Sequence, residues 1–248
     1  MPAVPYPVHL RVEGNHLAYR NNWIPILKFG RNDDLDSGDG EVLVWDVGTT
    51  YSYQSAAQTL EVLSSSVNDT AAGSGARTLR LMGVDADWNL QDEYVTLDGV
   101  TPVSTVNQYL RVYRSYVLTA GAGGINEGDV TWRVESGGDI QARLPAGDGT
   151  TFLSLMPIPR GYEGYLYDVR VTTDAAPNSE ITTRLRLRPD GGVFRTIFEE
   201  VANRDSPVVR APTMPARLPE MSDFAVTASA VANNTTVFAD FDVVLVPV

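Results

Sequence analysis

Cysteine is absent from the 248 residues. That excludes a disulfide framework, a zinc–thiolate centre and a cysteine nucleophile. Basic charge is scarce as well: Lys+Arg number 19 against 31 Asp+Glu, for a formal net charge of -12. A surface of that sign does not displace counterions from nucleic acid and is repelled by anionic membranes. Lysine is reduced to Lys28, so nearly every cation is an arginine. Arginine favours planar, multi-pronged contacts at interfaces, and a GC-rich coding genome gives the same bias. Only two histidines occur, His9 and His16. Both lie in or beside the proline-bearing stretch MPAVPYPVHLRVEG, a poor place for the packing-locked base of a catalytic triad; G-x-S-x-G is also missing. No apolar run approaches the ~18 residues of a membrane span. The same N-terminal stretch lacks a basic region followed by an apolar block, so no secretory signal is expected.

Strands fill the space that helices leave. QTLEVLSSS, ARTLRLMGVD, DEYVTLDG, QYLRVYRSYVLT, GDVTWRVES, GDIQARLP, TTFLSLMPI, GYLYDVRVTT and EITTRLRLR are rich in Val, Thr, Leu and Tyr, and many alternate apolar with polar. FAVTASAV, TVFADFDVVLV and GVFRTIFEE read the same way, although GVFRTIFEEVANR and SAAQTLEVLSS also fit short helices. DG, GG, PDGG and NN signals separate them at short intervals. The expectation is an all-β chain, an antiparallel β-sandwich of jelly-roll type. An extended N-terminal arm and acidic loop are expected over residues 1–40, and the sandwich over 41–248. In the arm, WIPILKF offers Trp23, Ile24, Ile26, Leu27 and Phe29 for insertion into a neighbouring subunit.

Each candidate site has a plain structural alternative. In VLTAGAGGINEG the glycines Gly121, Gly123, Gly124 and Gly128 suggest a phosphate cradle. The residues after the loop alternate Val130, Trp132 and Val134 as a strand, so no helix N-terminus faces a phosphate, and the loop reads as a hairpin connection. NDDLDSGDGE, with Asp34, Asp36, Gly40 and Glu41, faintly echoes a calcium loop but in the wrong order for an EF-hand. Calcium binding there stays open beside an ordinary acidic loop. Asp85 with Asp87, Asp92 with Glu93 and Glu199 with Glu200 are conceivable acid pairs for a glycosidase; so many acids make chance pairs unavoidable. In ITTRLRLRPDGG, Arg184, Arg186 and Arg188 share one strand face. They need carboxylates from across the sheet or from an acidic partner. The tyrosines of GYEGYLYDV and VYRSY offer stacking faces for a glycan, or pack in the sandwich.

Several segments together resemble a family of tailed-bacteriophage virion structural proteins: NDTAAGSGARTL, GVDADWN, EYVTLDGVTPV, YLRVYR, the TAGAGGINEGDV loop and the closing LPEMSDFAVTASAVANNTTVFADFDVVLV. EVLVWDVGTTYSY fits too, so the resemblance covers most of Glu41 to Val248; the arm has no match. It implies a non-enzymatic particle component without cofactor, bound to the capsid as a decoration, cement or head-fibre protein, or associated with the tail. The implied partners are the major capsid protein or other virion proteins. A homotrimer, assembled in the host cytoplasm, is favoured by threefold positions on a shell.

Overall fold

The computed structural model describes residues 22–175, 179–211 and 214–248, and among these every regular element is a β-strand. The first half holds β1 (Ile24–Leu35), β2 (Val42–Leu43), β3 (Gln58–Ser64), β4 (Ala76–Val84), β5 (Leu90–Thr96), β6 (Val103–Tyr109), β7 (Arg111–Ala120), β8 (Val130–Val134) and β9 (Ile140–Leu144). The second holds β10 (Leu155–Ile158), β11 (Tyr162–Thr173), β12 (Ile181–Pro189), β13 (Arg195–Ala202), β14 (Val208–Arg210), β15 (Ala216–Leu218), β16 (Ser222–Ala230) and β17 (Thr235–Pro247). All pairings are antiparallel. Both segments with a helical alternative are strands, β3 and β13.

The chain forms two compact units rather than one sandwich over 41–248. Unit 1 combines the described residues up to Val44 with those from Ser154 onward; unit 2 is Trp45–Leu153. The boundary expected at residue 40 also moves, because Ile24–Leu35 is a strand of unit 1, paired along β17 from Ile24↔Leu245 to Leu35↔Thr235. Alternating side chains explain this: Lys28, Gly30 and Asn32 are buried while Pro25 and Leu27 are exposed. Residues 1–21, with His9 and His16, lie outside the described residues.

Unit 1 is a jelly roll. One sheet runs β1-β17-β11-β14, with β15 also on β11; the other runs β10-β16-β12-β13, with β2 also on β16. If β2 with β10, and β14 with β15, each count as one strand position, the orders become 1-8-3-6 and 2-7-4-5, the interleaving of that fold. The four sheets of the described residues are therefore not four propeller blades, which would use consecutive strands. Inner residues such as Leu155, Leu166, Val171, Leu185, Val226 and Val243 are buried. Each contributes about 1.5–3 kcal/mol by leaving water. Phe224 of one sheet meets Phe241 of the other edge-to-face at 5.0 Å.

The second strand position is interrupted by unit 2. Leu43 pairs with Thr227 and Leu155 with Ala225, so Val226 is the one residue between them. It is shared: Val44 N donates to Val226 O (3.0 Å), Val226 N donates to Ser154 O (3.1 Å), and Ser154 N donates to Val44 O (3.1 Å). The register of β16 thus passes from β2 to β10 as though nothing intervened.

Unit 2 is a smaller sandwich with sheets β6-β3-β8-β9 and β5-β4-β7. Its core includes Leu60, Val62, Leu79, Leu81, Trp88, Tyr109 and Trp132, all buried. Trp132 Nε1 donates to Ser115 Oγ (3.0 Å), joining β8 of one sheet to β7 of the other.

Candidate interaction surfaces

The glycine loop after β7 does not close a hairpin. β7 pairs with β4, whereas β8 pairs with β3 and β9, so residues 121–129 cross between sheets. Of the loop glycines only Gly124 has a positive φ, at 75°. Gly121 and Gly128 are required by close approach: an added Cβ would lie 2.2 Å from Gly73 O and 2.4 Å from Ser66 N. The loop is tied to the segment between β3 and β4 by Asp69, which is 0% exposed. Its Oδ1 accepts from Ala76 N (2.7 Å) and Glu127 N (2.9 Å), and its Oδ2 from Ser64 Oγ (2.5 Å) and Gly128 N (2.9 Å). Glu127 adds bonds from Asn68 Nδ2 and Ser74 Oγ. The segments NDTAAGSGARTL and TAGAGGINEGDV therefore form one knot. These glycines serve backbone packing, and no helix succeeds them.

The three arginines of β12 find their carboxylates within unit 1. Arg186 bonds Glu41 through Nε (2.6 Å) and Nη2. Arg184 bonds Glu199 (2.6 Å) and reaches Glu41 (3.3 Å). Arg188 bonds Asp223 (2.5 Å) and lies over the Phe194 ring at 4.6 Å. Thr227 Oγ1 also donates to Glu41 Oε1 (2.6 Å). The array runs from the residue before β2, over β16 and β12, to β13. The column of arginines is legible in the sequence, but Glu41 is not: it is far away in the chain and stands out there only as a residue of the calcium-like loop. Burial alone would raise the Glu41 carboxyl; hydrogen bonds from Arg186 and Thr227, with the Arg186 and Arg184 charges, outweigh it and hold the group below its ordinary value. A carboxyl depressed on folding stabilises above its unfolded pKa and loses that contribution as pH falls through the folded value. Glu41→Gln is therefore expected to lower stability by about 1–2 kcal/mol at neutral pH, a deficit that shrinks once pH falls below the ordinary carboxyl value of 4.5. Urea unfolding of both proteins across that range checks it; a deficit independent of pH would refute the assignment.

Several of the other candidate acids also have local partners. Asp85 Oδ1 accepts from Asp87 N (2.8 Å) and Asn89 N (2.9 Å) in the turn between β4 and β5. Glu93 accepts from Val106 N and Asn107 N (2.8 and 3.0 Å). In the acidic loop, Asp36 Oδ1 accepts from Asn234 N (2.8 Å) and Asp39 Oδ2 from Asp36 N (2.9 Å). Among the described residues no group of three or more His, Asp or Glu is arranged to hold a metal ion.

Of the WIPILKF residues, Trp23, Ile24, Ile26 and Phe29 are partly buried and Leu27 is 57% exposed. Leu27 stands opposite Asp242, and Phe29 opposite Asp240. Burial raises the Asp240 carboxyl, Arg170 opposes this, and the Asp168 and Asp242 charges add to it. Most tyrosines are absorbed by packing: Tyr109 and Tyr113 are buried, and burial pushes the Tyr113 phenol up to about 12. Tyr165 donates to Glu163 (3.0 Å). Among the described residues Tyr94 is the exception, at 59% exposed.

No known family profile matches the sequence, and no curated protein does. Solved structures give distant likenesses. One is the mosquito-larvicidal Cry4Aa toxin of Bacillus thuringiensis, 9% identical with a TM-score of 0.27, covering 70% of this chain and 42% of the toxin chain. Another is the VP2 subviral particle of infectious bursal disease virus, 10% identical with a TM-score of 0.24, covering 91% of this chain and 72% of that one. The structure of the Gt strain of that virus is similar at 10% identity and a TM-score of 0.19. The chain thus spans less than half of the toxin, and likenesses of this size define no family.

Proposed function

We propose that the protein is a non-enzymatic structural component of a tailed-phage virion, bound to the capsid as a decoration, cement or head-fibre protein. The observation that carries the reading is a jelly roll with one strand position interrupted by a second β-sandwich. That scaffold invests its polar chemistry in holding loops and sheets together. Asp69, Asp85, Glu93, Glu41 and Glu199 all serve structural hydrogen bonds or ion pairs. The phage-like motifs support the same reading, since two of them build the Asp69 knot. Mass spectrometry of purified particles, with antibody-labelled electron microscopy, tests it. The expected result is this chain in stoichiometric amounts with label over the head. Label over the tail would move the protein there, and absence from particles would overturn the reading. Sedimentation of the isolated protein tests self-association, with a trimer expected.

A further inference from the structure

The outer face of the β5-β4-β7 sheet carries a constellation that the structural role does not use. Tyr94 of β5 stands opposite Arg80 of β4, and Arg80 stands opposite Tyr116 of β7. Directly opposed residues of an antiparallel pair share a face, so the three side chains form one row across the sheet. In the neighbouring row on that face, Asp92, Met82 and Arg114 are aligned in the same way. The rows are linked: Arg80 Nε donates to Asp92 Oδ2 (2.8 Å), Arg80 Nη1 donates to the Tyr116 hydroxyl (3.1 Å), and the guanidinium lies 5.8 Å from the Tyr94 ring centroid. Arg80 is thus fixed before any ligand arrives, and little side-chain freedom remains to be lost on binding.

Tyr94 is the most exposed aromatic side chain among the described residues, at 59%. Exposure on this scale leaves ring surface open for stacking. The Asp92 side chain is 38% exposed, so its carboxylate is reachable by a hydroxyl group. An open ring beside alternating donors and acceptors complements a pyranose, which offers an apolar C–H face and a rim of hydroxyls. Charge narrows the class. Arg80 and Asp92 neutralise each other, Arg114 is the one further cation of the two rows, and the chain's net charge of -12 disfavours an acidic polysaccharide.

We propose that the Tyr94–Arg80–Tyr116 row, with Asp92, binds an uncharged saccharide. The sugar stacks on Tyr94 while its hydroxyls bond to Asp92, the Arg80 guanidinium and the Tyr116 hydroxyl. The inference does not depend on the virion assignment, since particle content and saccharide binding are separate measurements. The test is saturation-transfer NMR and calorimetry of the full chain with cellohexaose, maltohexaose, chitohexaose and mannohexaose. At least one is expected to bind, with Tyr94→Ala weakening it by about tenfold or more and Tyr94→Phe retaining it. Asp92→Asn is expected to weaken it as well. Because Tyr94 is exposed, both Tyr94 variants are expected to melt with the parent, which separates loss of binding from loss of fold. No binding by any of the four sugars, or Tyr94→Ala binding within about twofold of the parent, would overturn the proposal.

Discussion

Replacing Asp69 with alanine is expected to destabilise unit 2 by about 4 kcal/mol or more. The carboxylate is fully buried and accepts from three backbone N–H groups, those of Ala76, Glu127 and Gly128, and from the Ser64 hydroxyl. Without it those donors lose their acceptor in a site closed to bulk water, at about 1–3 kcal/mol for each buried group left unsatisfied. Asn is no remedy, because one carboxylate oxygen becomes an NH2 that faces donors. Three of the four tryptophans, Trp45, Trp88 and Trp132, lie in unit 2, so urea unfolding followed by tryptophan fluorescence reports largely on this unit. The expected result is an earlier transition for both Asp69→Ala and Asp69→Asn. A midpoint unchanged for Asp69→Ala would mean that the loops are held by other contacts.

The second large effect is one of survival. Removing Trp45–Leu153 and joining Val44 to Ser154 is expected to leave a folded jelly roll. The argument rests on register: Leu43 and Leu155 flank the single β16 position of Val226, and Ser154 N already donates to Val44 O at 3.1 Å. The two backbones are near enough that the joint needs only a local bulge. The shortened protein is expected to keep β-type circular dichroism and a single cooperative transition. A deletion of Ile24–Leu35 is expected to abolish that transition, because it strips one edge of β17 along nearly its whole length. A non-cooperative or aggregated Val44–Ser154 fusion would show that unit 1 depends on unit 2.

Much of this fold is legible where side chains alternate. In β12, Ile181, Thr183 and Leu185 are buried while Arg184 and Arg186 lie outward, which is the pattern the sequence displays. β13 is ambiguous in sequence for a physical reason: nearly all its residues are exposed, so it has no buried face to set a period. The interruption is illegible because β2 has only two residues, and the continuity of β2 with β10 exists only through β16. WIPILKF reads as part of an arm because an apolar strand and an apolar arm look alike until a partner strand is known. The glycine loop is rightly denied a helix but wrongly given a hairpin, since local turn chemistry does not reveal which strands pair. Of the candidate surfaces, the arginine column is visible in the sequence but its carboxylates are not. Nothing in the sequence singles out Tyr94, because its exposure depends on the sheet around it.

The shared position at Val226 also orders events during synthesis. A ribosome releases Val44 well before Ser154, so the second strand position cannot be completed until the whole inserted unit has emerged. β1 waits longer still for its only partner among the described strands, β17. Unit 2 draws all its sheet partners from one uninterrupted stretch and so is the first part able to fold on the nascent chain. The host jelly roll's second strand position is therefore completed only after the inserted guest has had the chance to fold.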